Sequence, residues 1–223
     1  MNINESIIRG LSDELVRVGR ISHDLGLLGA DGNLSIRVNE KMFIITSSGG
    51  CKGRIEHSDW VVIDLKGNIV KGGPDGNKKP SADTSNHLSI YQQRPKVGGI
   101  IHAHPIYSTV LSICGYKFPE DICTNVPQTM RPVAITKKIY VPASDEEEKI
   151  VRELVMSHDA IILSHHGAIT MGPSLEEALN LLERLENVAK LYWLSLMLGN
   201  PKRIPPEMVI ELKKSSNKFI PDF

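Results

Sequence analysis

The chain has 223 residues, 26 Lys plus Arg against 26 Asp plus Glu, and 41% apolar residues. That is a globular composition, neither disordered nor collagen-like. Its zero net charge argues against binding nucleic acid or anionic lipid by neutralising a charged surface. The three cysteines, Cys51, Cys114 and Cys123, include no C-x-x-C pair, which excludes a disulfide framework and a thiolate zinc site and points to a reducing compartment. Met1 to Gly10 lacks a basic segment followed by an apolar block. The most apolar stretch, Leu191 to Leu198, is far short of the roughly 20 residues of a membrane span. The expectation is a soluble, cytoplasmic protein with neither membrane nor nucleic acid as partner.

From Glu5 to Leu28 apolar residues recur at Ile8, Leu11, Leu15, Val18, Ile21 and Leu25, the spacing of an amphipathic helix, until Gly26, Gly29 and Gly32 break it. Short β-type runs follow at Leu34–Val38, Met42–Thr46, Trp60–Leu65 and Asn68–Val70, with Asn39-Glu40 and Lys66-Gly67-Asn68 as turns. Lys71 to Lys79 is a Gly- and Pro-rich loop. Thr84–Arg94 returns to a helical pattern, and Val97–His104 reads as a buried strand whose end, Pro105, opens a helix to about Cys114. Ser144-Asp145 caps a helix through Ser157, with glutamates in its first turn where the macrodipole favours them. Ala160–His166 reads as a strand that Gly167–Met171 continues. Ser174 and Glu177 form a capping box for a long helix to about Leu198, and Pro205-Pro206 opens a last short one. The tail Phe219 to Phe223 is a candidate lid. No repeat or linker divides the chain, so a single domain over residues 1–223 is expected. The hairpin-rich first half predicts an α/β fold with a mixed or antiparallel sheet covered by helices on both faces.

His102-Ala103-His104 carries the clearest chemistry. On a strand, residues i and i+2 share a face, so both imidazoles can reach one ion, and the apolar neighbours Ile100 and Ile101 make two unpaired buried imidazoles costly. His165-His166 ends a second strand; adjacent strand residues face opposite ways, so at most one joins the first pair. Three neutral imidazoles would leave coordination positions open for substrate, the pattern of a catalytic site. Asp83 reads most simply as an N-cap, and His87 as a surface or supporting group. Gly32-Asn33-Leu34-Ser35 and Thr46-Ser47-Ser48-Gly49-Gly50 look like anion cradles, where small residues let backbone N–H groups approach a phosphate. Lys52 and Arg54 could add charge there, but read as solvated surface.

Five segments then resemble the class II aldolase/adducin-head family in order: Gly32-Asn33-Leu34-Ser35-Ile36-Arg37, Thr46-Ser47-Ser48-Gly49, Lys79-Pro80-Ser81-Ala82-Asp83-Thr84, Gly98-Gly99-Ile100-Ile101-His102-Ala103-His104 and Ser164-His165-His166-Gly167. The resemblance implies a three-layer α/β/α fold with a central mixed, largely antiparallel sheet. It implies a divalent ion, zinc by preference with Mn2+ or Co2+ as alternatives, held by His102, His104 and His166. Gly32, Asn33, Ser48, Gly49 and Ser81 would bind the phosphate of a small sugar phosphate, in a homotetramer whose sites lie between subunits. Asp83 falls where the family's aldolases carry a catalytic Glu and its epimerases an Asp near the metal. The implied reaction is cleavage of the C3–C4 bond of a ketose phosphate such as L-fuculose 1-phosphate, giving dihydroxyacetone phosphate and an aldehyde through a metal-stabilised enediolate. A 4-epimerase acting on L-ribulose 5-phosphate, or a related dehydratase or decarboxylase, is the alternative, and a non-enzymatic interaction module ranks below both. The sequence departs from the family at three points. Asp83 is a methylene shorter than the aldolase Glu, Ala82 replaces a serine, and Ile122 to Val126 holds no tyrosine to serve as proton donor. Thr129-Met130-Arg131-Pro132 likewise lacks the epimerases' acidic and aromatic residues.

Overall fold

The computed structural model describes residues 4–215 and 223. Its first element is helix α1 (Glu5–Asp24), capped by Asn4, whose side chain accepts from Ser6 N at 3.0 Å. The helix ends a turn earlier than the apolar spacing predicts. Gly26 adopts φ 71°, and Leu27 and Leu28 N–H turn back to Ser22 O, so Leu27 and Leu28 enter the core from a loop.

Eight strands form one sheet: β1 (Asn33–Asn39), β2 (Met42–Thr46), β3 (Trp60–Asp64), β4 (Ile69–Gly72), β5 (Gly99–Ala103), β6 (Val133–Ile135), β7 (Ala160–Leu163) and β8 (Gly167–Gly172). Their order is β4-β3-β2-β1-β5-β8-β7-β6, antiparallel throughout except for the parallel pair β6–β7. The period of two sends alternate residues to separate cores. Ile44, Ile101, Ala103 and Ile162 face the layer of α1 and α6 (Leu175–Met197), whereas Phe43, Ile45, Ile100 and Ile161 face α2 (Thr84–Gln93) and α5 (Asp145–Leu154). Burial on both faces gives the mixed, largely antiparallel α/β/α sandwich that the hairpin pattern predicts.

The packing of β5 against the start of α6 depends on an absence of side chain. A Cβ on Gly99 would lie 2.3 Å from Leu175 N, and one on Gly98 would lie 2.1 Å from Pro173 O. The two glycines therefore let the start of α6 lie directly on the sheet. There Ser174 Oγ accepts from Glu177 N at 3.1 Å, as the capping box requires.

Helix α3 (Ile106–Ile113) follows Pro105, and α7 (Pro206–Lys214) opens on the proline pair, both as predicted. Three differences stand out. The Ala160–Met171 run is a hairpin, β7 and β8, with Leu163 opposite Gly167 and His165 at φ 61° in the turn. Helix α4 (Val126–Thr129) and strand β6 have four and three residues, too few for periodicity to register. Finally, Lys52–Arg54 is a short 3-10 turn packed on α1. Most of the Phe219–Phe223 tail lies outside the described residues. Phe223 sits against Arg94, whose guanidinium lies 4.6 Å from its ring, near Asp159 and Gly172. That is the end of the β7–β8 hairpin away from His166, so in this position Phe223 covers no histidine.

Candidate metal centre

Antiparallel register puts Asn33 of β1 opposite His102 of β5, and Ser35 opposite Ile100. All four point toward α2, together with His104 two residues beyond His102. The β7–β8 turn brings in the third imidazole from the neighbouring hairpin. With His165 in the left-handed region, His166 projects inward although its neighbour does not. The side-chain nitrogens of His102, His104 and His166 lie within 4.8 Å of one another, and no other such group of three occurs among the described residues.

Hydrogen bonds fix which nitrogen each ring presents. His102 Nδ1 is 3.1 Å from the carbonyl of Ala168, which can only accept, so Nδ1 carries the proton and Nε2 keeps its lone pair. His166 Nδ1 lies 3.3 Å from Glu147 Oε2, which likewise frees its Nε2. The Nε2 atoms of His102 and His104 are 3.2 Å apart. Two imidazoles on a tetrahedral ion with bonds of 2.0–2.1 Å would stand roughly 3.3–3.4 Å apart, so the pair fits a divalent cation. Burial pushes the His102 pKa down to about 4 against the pull of Asp83. Burial, then His166, lowers that of His104. Both rings are therefore neutral near pH 7, the form in which imidazole binds metal.

Asp83 departs from its simplest reading. It stands at the N-cap of α2 but makes no capping bond. Instead Oδ2 accepts from Asn33 Nδ2 at 2.7 Å and lies 4.0 Å from His102 Nε2. Asn33 also donates to Ser81 Oγ at 3.0 Å, so its amide locks the Pro80–Asp83 loop onto the sheet. A cavity of about 590 Å³ opens beside these groups, lined by Gly32, Ser48, Gly49, Ser81, Asp83, His104 and His166. A larger groove of about 700 Å³, beside α1 and Trp60, gathers no comparable set; its one histidine, His57, is paired with Asp13.

Residues 13–193 match the family model described as Class II Aldolase and Adducin N-terminal domain. The chain belongs to this family. The chain is 32% identical over 175 residues to an L-fuculose phosphate aldolase of Methanococcus maripaludis, covering 78% of this chain and 90% of that one. It is 30% identical over 183 residues to a 3-oxo-tetronate 4-phosphate decarboxylase of Haemophilus influenzae, covering 80% and 85%. A solved L-fuculose 1-phosphate aldolase superposes with a TM-score of 0.81 at 29% identity, over 94% of this chain and 96% of that one.

Within this class II aldolase fold, the segments that prompted the resemblance meet at one end of the sheet. Gly32 has φ 104°, and a Cβ there would lie 2.7 Å from His102 O, so the backbone demands glycine whatever it binds. Three residues escaped their sequence reading. Glu147 is 1% exposed and accepts from Asn86 Nδ2 at 2.9 Å and from Ala143 N at 3.1 Å as well as facing His166. Burial raises its pKa, but the hydrogen bonds from His166, Asn86 and Ala143 outweigh that and hold it below the usual carboxylate value. No local signal marks it, since Asp145, Glu146 and Glu148 stand beside it in the same helical turn. His87 is fully buried, its Nδ1 2.6 Å from Ser35 Oγ, and burial, then His102, pushes its pKa down to about 3. Lys52 is buried under the Ser47–Gly50 loop rather than solvated.

Proposed function

We propose that this protein is a divalent-metal-dependent aldolase that cleaves the C3–C4 bond of a small ketose phosphate, such as L-fuculose 1-phosphate, to dihydroxyacetone phosphate and an aldehyde. The observation that carries this reading is the convergence of three imidazole nitrogens beside an open cavity. His102, His104 and His166 would hold the ion, zinc being the first choice for a set of three nitrogen donors. When bound, it would act as a Lewis acid on two vicinal substrate oxygens and draw off the negative charge that develops as the bond breaks. The loop residues Ser48 and Gly49, with Gly32 and Ser81, would hold the phosphate and so keep the carbon chain in register. Asn33 supports the set from behind by fixing Asp83 and Ser81. Asp83, at the cavity wall, would take the proton from the substrate hydroxyl in cleavage and return it in condensation.

Decarboxylation of a 3-oxo sugar-acid phosphate is the second reading. It is supported by the relative that carries this name. It develops the same charge next to the same ion. We further take residues 1–223 as one domain of a cytoplasmic homotetramer. Apolar side chains left exposed, such as Ile106 at 65% and Leu198 at 93%, supply surface that an oligomer would bury.

The test is metal analysis of the purified protein followed by assay of the zinc-loaded form against phosphorylated ketoses and 3-oxo-tetronate 4-phosphate. Triose phosphate release supports the aldolase, and carbon dioxide release the decarboxylase. His104→Ala is expected to lose metal and turnover together with its circular dichroism intact. Turnover kept in metal-stripped His104→Ala would end the Lewis-acid account.

A further inference from the structure

Lys52 carries a charge that the fold leaves without a carboxylate. It is 4% exposed, and its Nζ donates to the carbonyls of Ser47 at 2.9 Å and Gly49 at 2.7 Å. It makes no ion pair within 4.0 Å among the described residues. The nearby Asp59 is taken by Lys78 at 2.7 Å. An ammonium has three protons, so one is left over. The backbone behind the side chain is clamped. Lys52 N donates to Gly29 O at 3.2 Å, and Lys52 O lies so close to α1 that a Cβ on Gly19 would be 2.6 Å away. Burying an ammonium against carbonyls alone is costly, and evolution could have placed an apolar stem here.

What lies above the charge explains it. Lys52 lines the same cavity as Ser48, Gly49, Gly50 and Ser81. Gly49 and Gly50 have φ 81° and 71°, with open space where a Cβ would stand. In a trans peptide the N–H and C=O point opposite ways, so drawing the Gly49 carbonyl onto Lys52 turns the Gly50 N–H away from it. The loop thus stands between a buried cation and an open, small-residue surface.

We propose that Lys52 is the charge of the anion subsite: a pre-buried ammonium whose missing counter-ion is the substrate's phosphate seated on the Ser48–Gly50 loop. This rests on the reading of that loop as the phosphate-binding segment and adds a specificity element to it. Lys52 would set the preference for a phosphorylated over a free sugar and hold the loop in the shape that receives it. Its pKa is lowered chiefly by burial, which Asp59 and Asp31 only partly offset, as befits a cation awaiting an anion.

The test compares wild type with Lys52→Met, which keeps the stem and removes the charge, and with Lys52→Gln, which keeps a donor for the loop carbonyls. All are metal-loaded full-length protein, and inorganic phosphate is the probe. Wild type is expected to gain thermal stability with phosphate. Both variants should lose that response while their phosphate-free stability stays equal or rises. KM for the sugar phosphate is expected to increase roughly ten- to hundredfold, the loss of one buried charge acting on the phosphate through the loop, with kcat and metal content little changed. Should Lys52→Met fail to fold, Lys52→Gln decides by the same readouts. A phosphate response equal to wild type in a folded variant would overturn the proposal and leave Lys52 a mere prop. No phosphate response in wild type would instead overturn the reading of the loop on which it rests.

Discussion

Glu147 stands among four acidic residues in the first turn of α5, where each alike would favour the helix dipole. Only the folded chain singles it out, by turning its side chain inward onto His166 while its neighbours face water. A carboxylate behind a metal-binding histidine fixes the tautomer and raises the basicity of the ligating nitrogen. Glu147→Gln is therefore expected to weaken metal binding about 10–100-fold with the fold kept. Competition with a chromophoric chelator measures this, and an unchanged affinity would reduce Glu147 to a packing residue. Asp83, His87 and Lys52 share the difficulty of Glu147. Each is a polar residue whose commonest setting is a cap or the surface, and each is drawn inside by partners more than 20 residues away or by a loop that folds over it. The His102–His104 pair was readable because its geometry is local: two residues on one strand face need no tertiary information to come together.

The β7–β8 hairpin delivers His166 through a turn that places a non-glycine residue, His165, at φ 61°. A β-branched side chain resists that region, at a cost of roughly 1–3 kcal/mol. His165→Val is expected to destabilise the protein by about that amount and to weaken metal binding, whereas His165→Gly should keep both. Urea unfolding and metal titration of the two variants check this, and equal behaviour would show that the turn does not aim His166. The same turn explains the misread element. Ala160–Leu163 and Gly167–Met171 are both largely apolar runs, and the lone turn former between them, Ser164, stands beside two histidines that read as strand, so alternation could not locate the reversal. Where amphipathic contrast was strong, as in α1, α5 and α6, helix starts were found to within a residue or two, and with them the serine caps of α5 and α6. Elements of three or four residues, α4 and β6, carried no period to read.

The two apolar cores lie on either face of the sheet and include none of the three clustered histidines, which gather at one end of the strands. Chelation is therefore expected to abolish turnover while leaving the far-ultraviolet circular dichroism intact. It should also lower the stability by the linkage energy alone, about 2.7 kcal/mol for free metal at a hundred times its Kd, seen as a fall in melting temperature. Collapse of the circular dichroism on chelation would make the ion a structural one. Layering, the sheet's mixed character and the His102–His104 pair followed from spacing and side-chain chemistry, because burial imposes a period of two on strands and 3.6 on helices that survives in the linear order. The reversal at Ser164–His166, the inward carboxylate of Glu147 and the stranded ammonium of Lys52 followed only from three-dimensional packing. These depend on which distant backbone meets which side chain, and no local period records that.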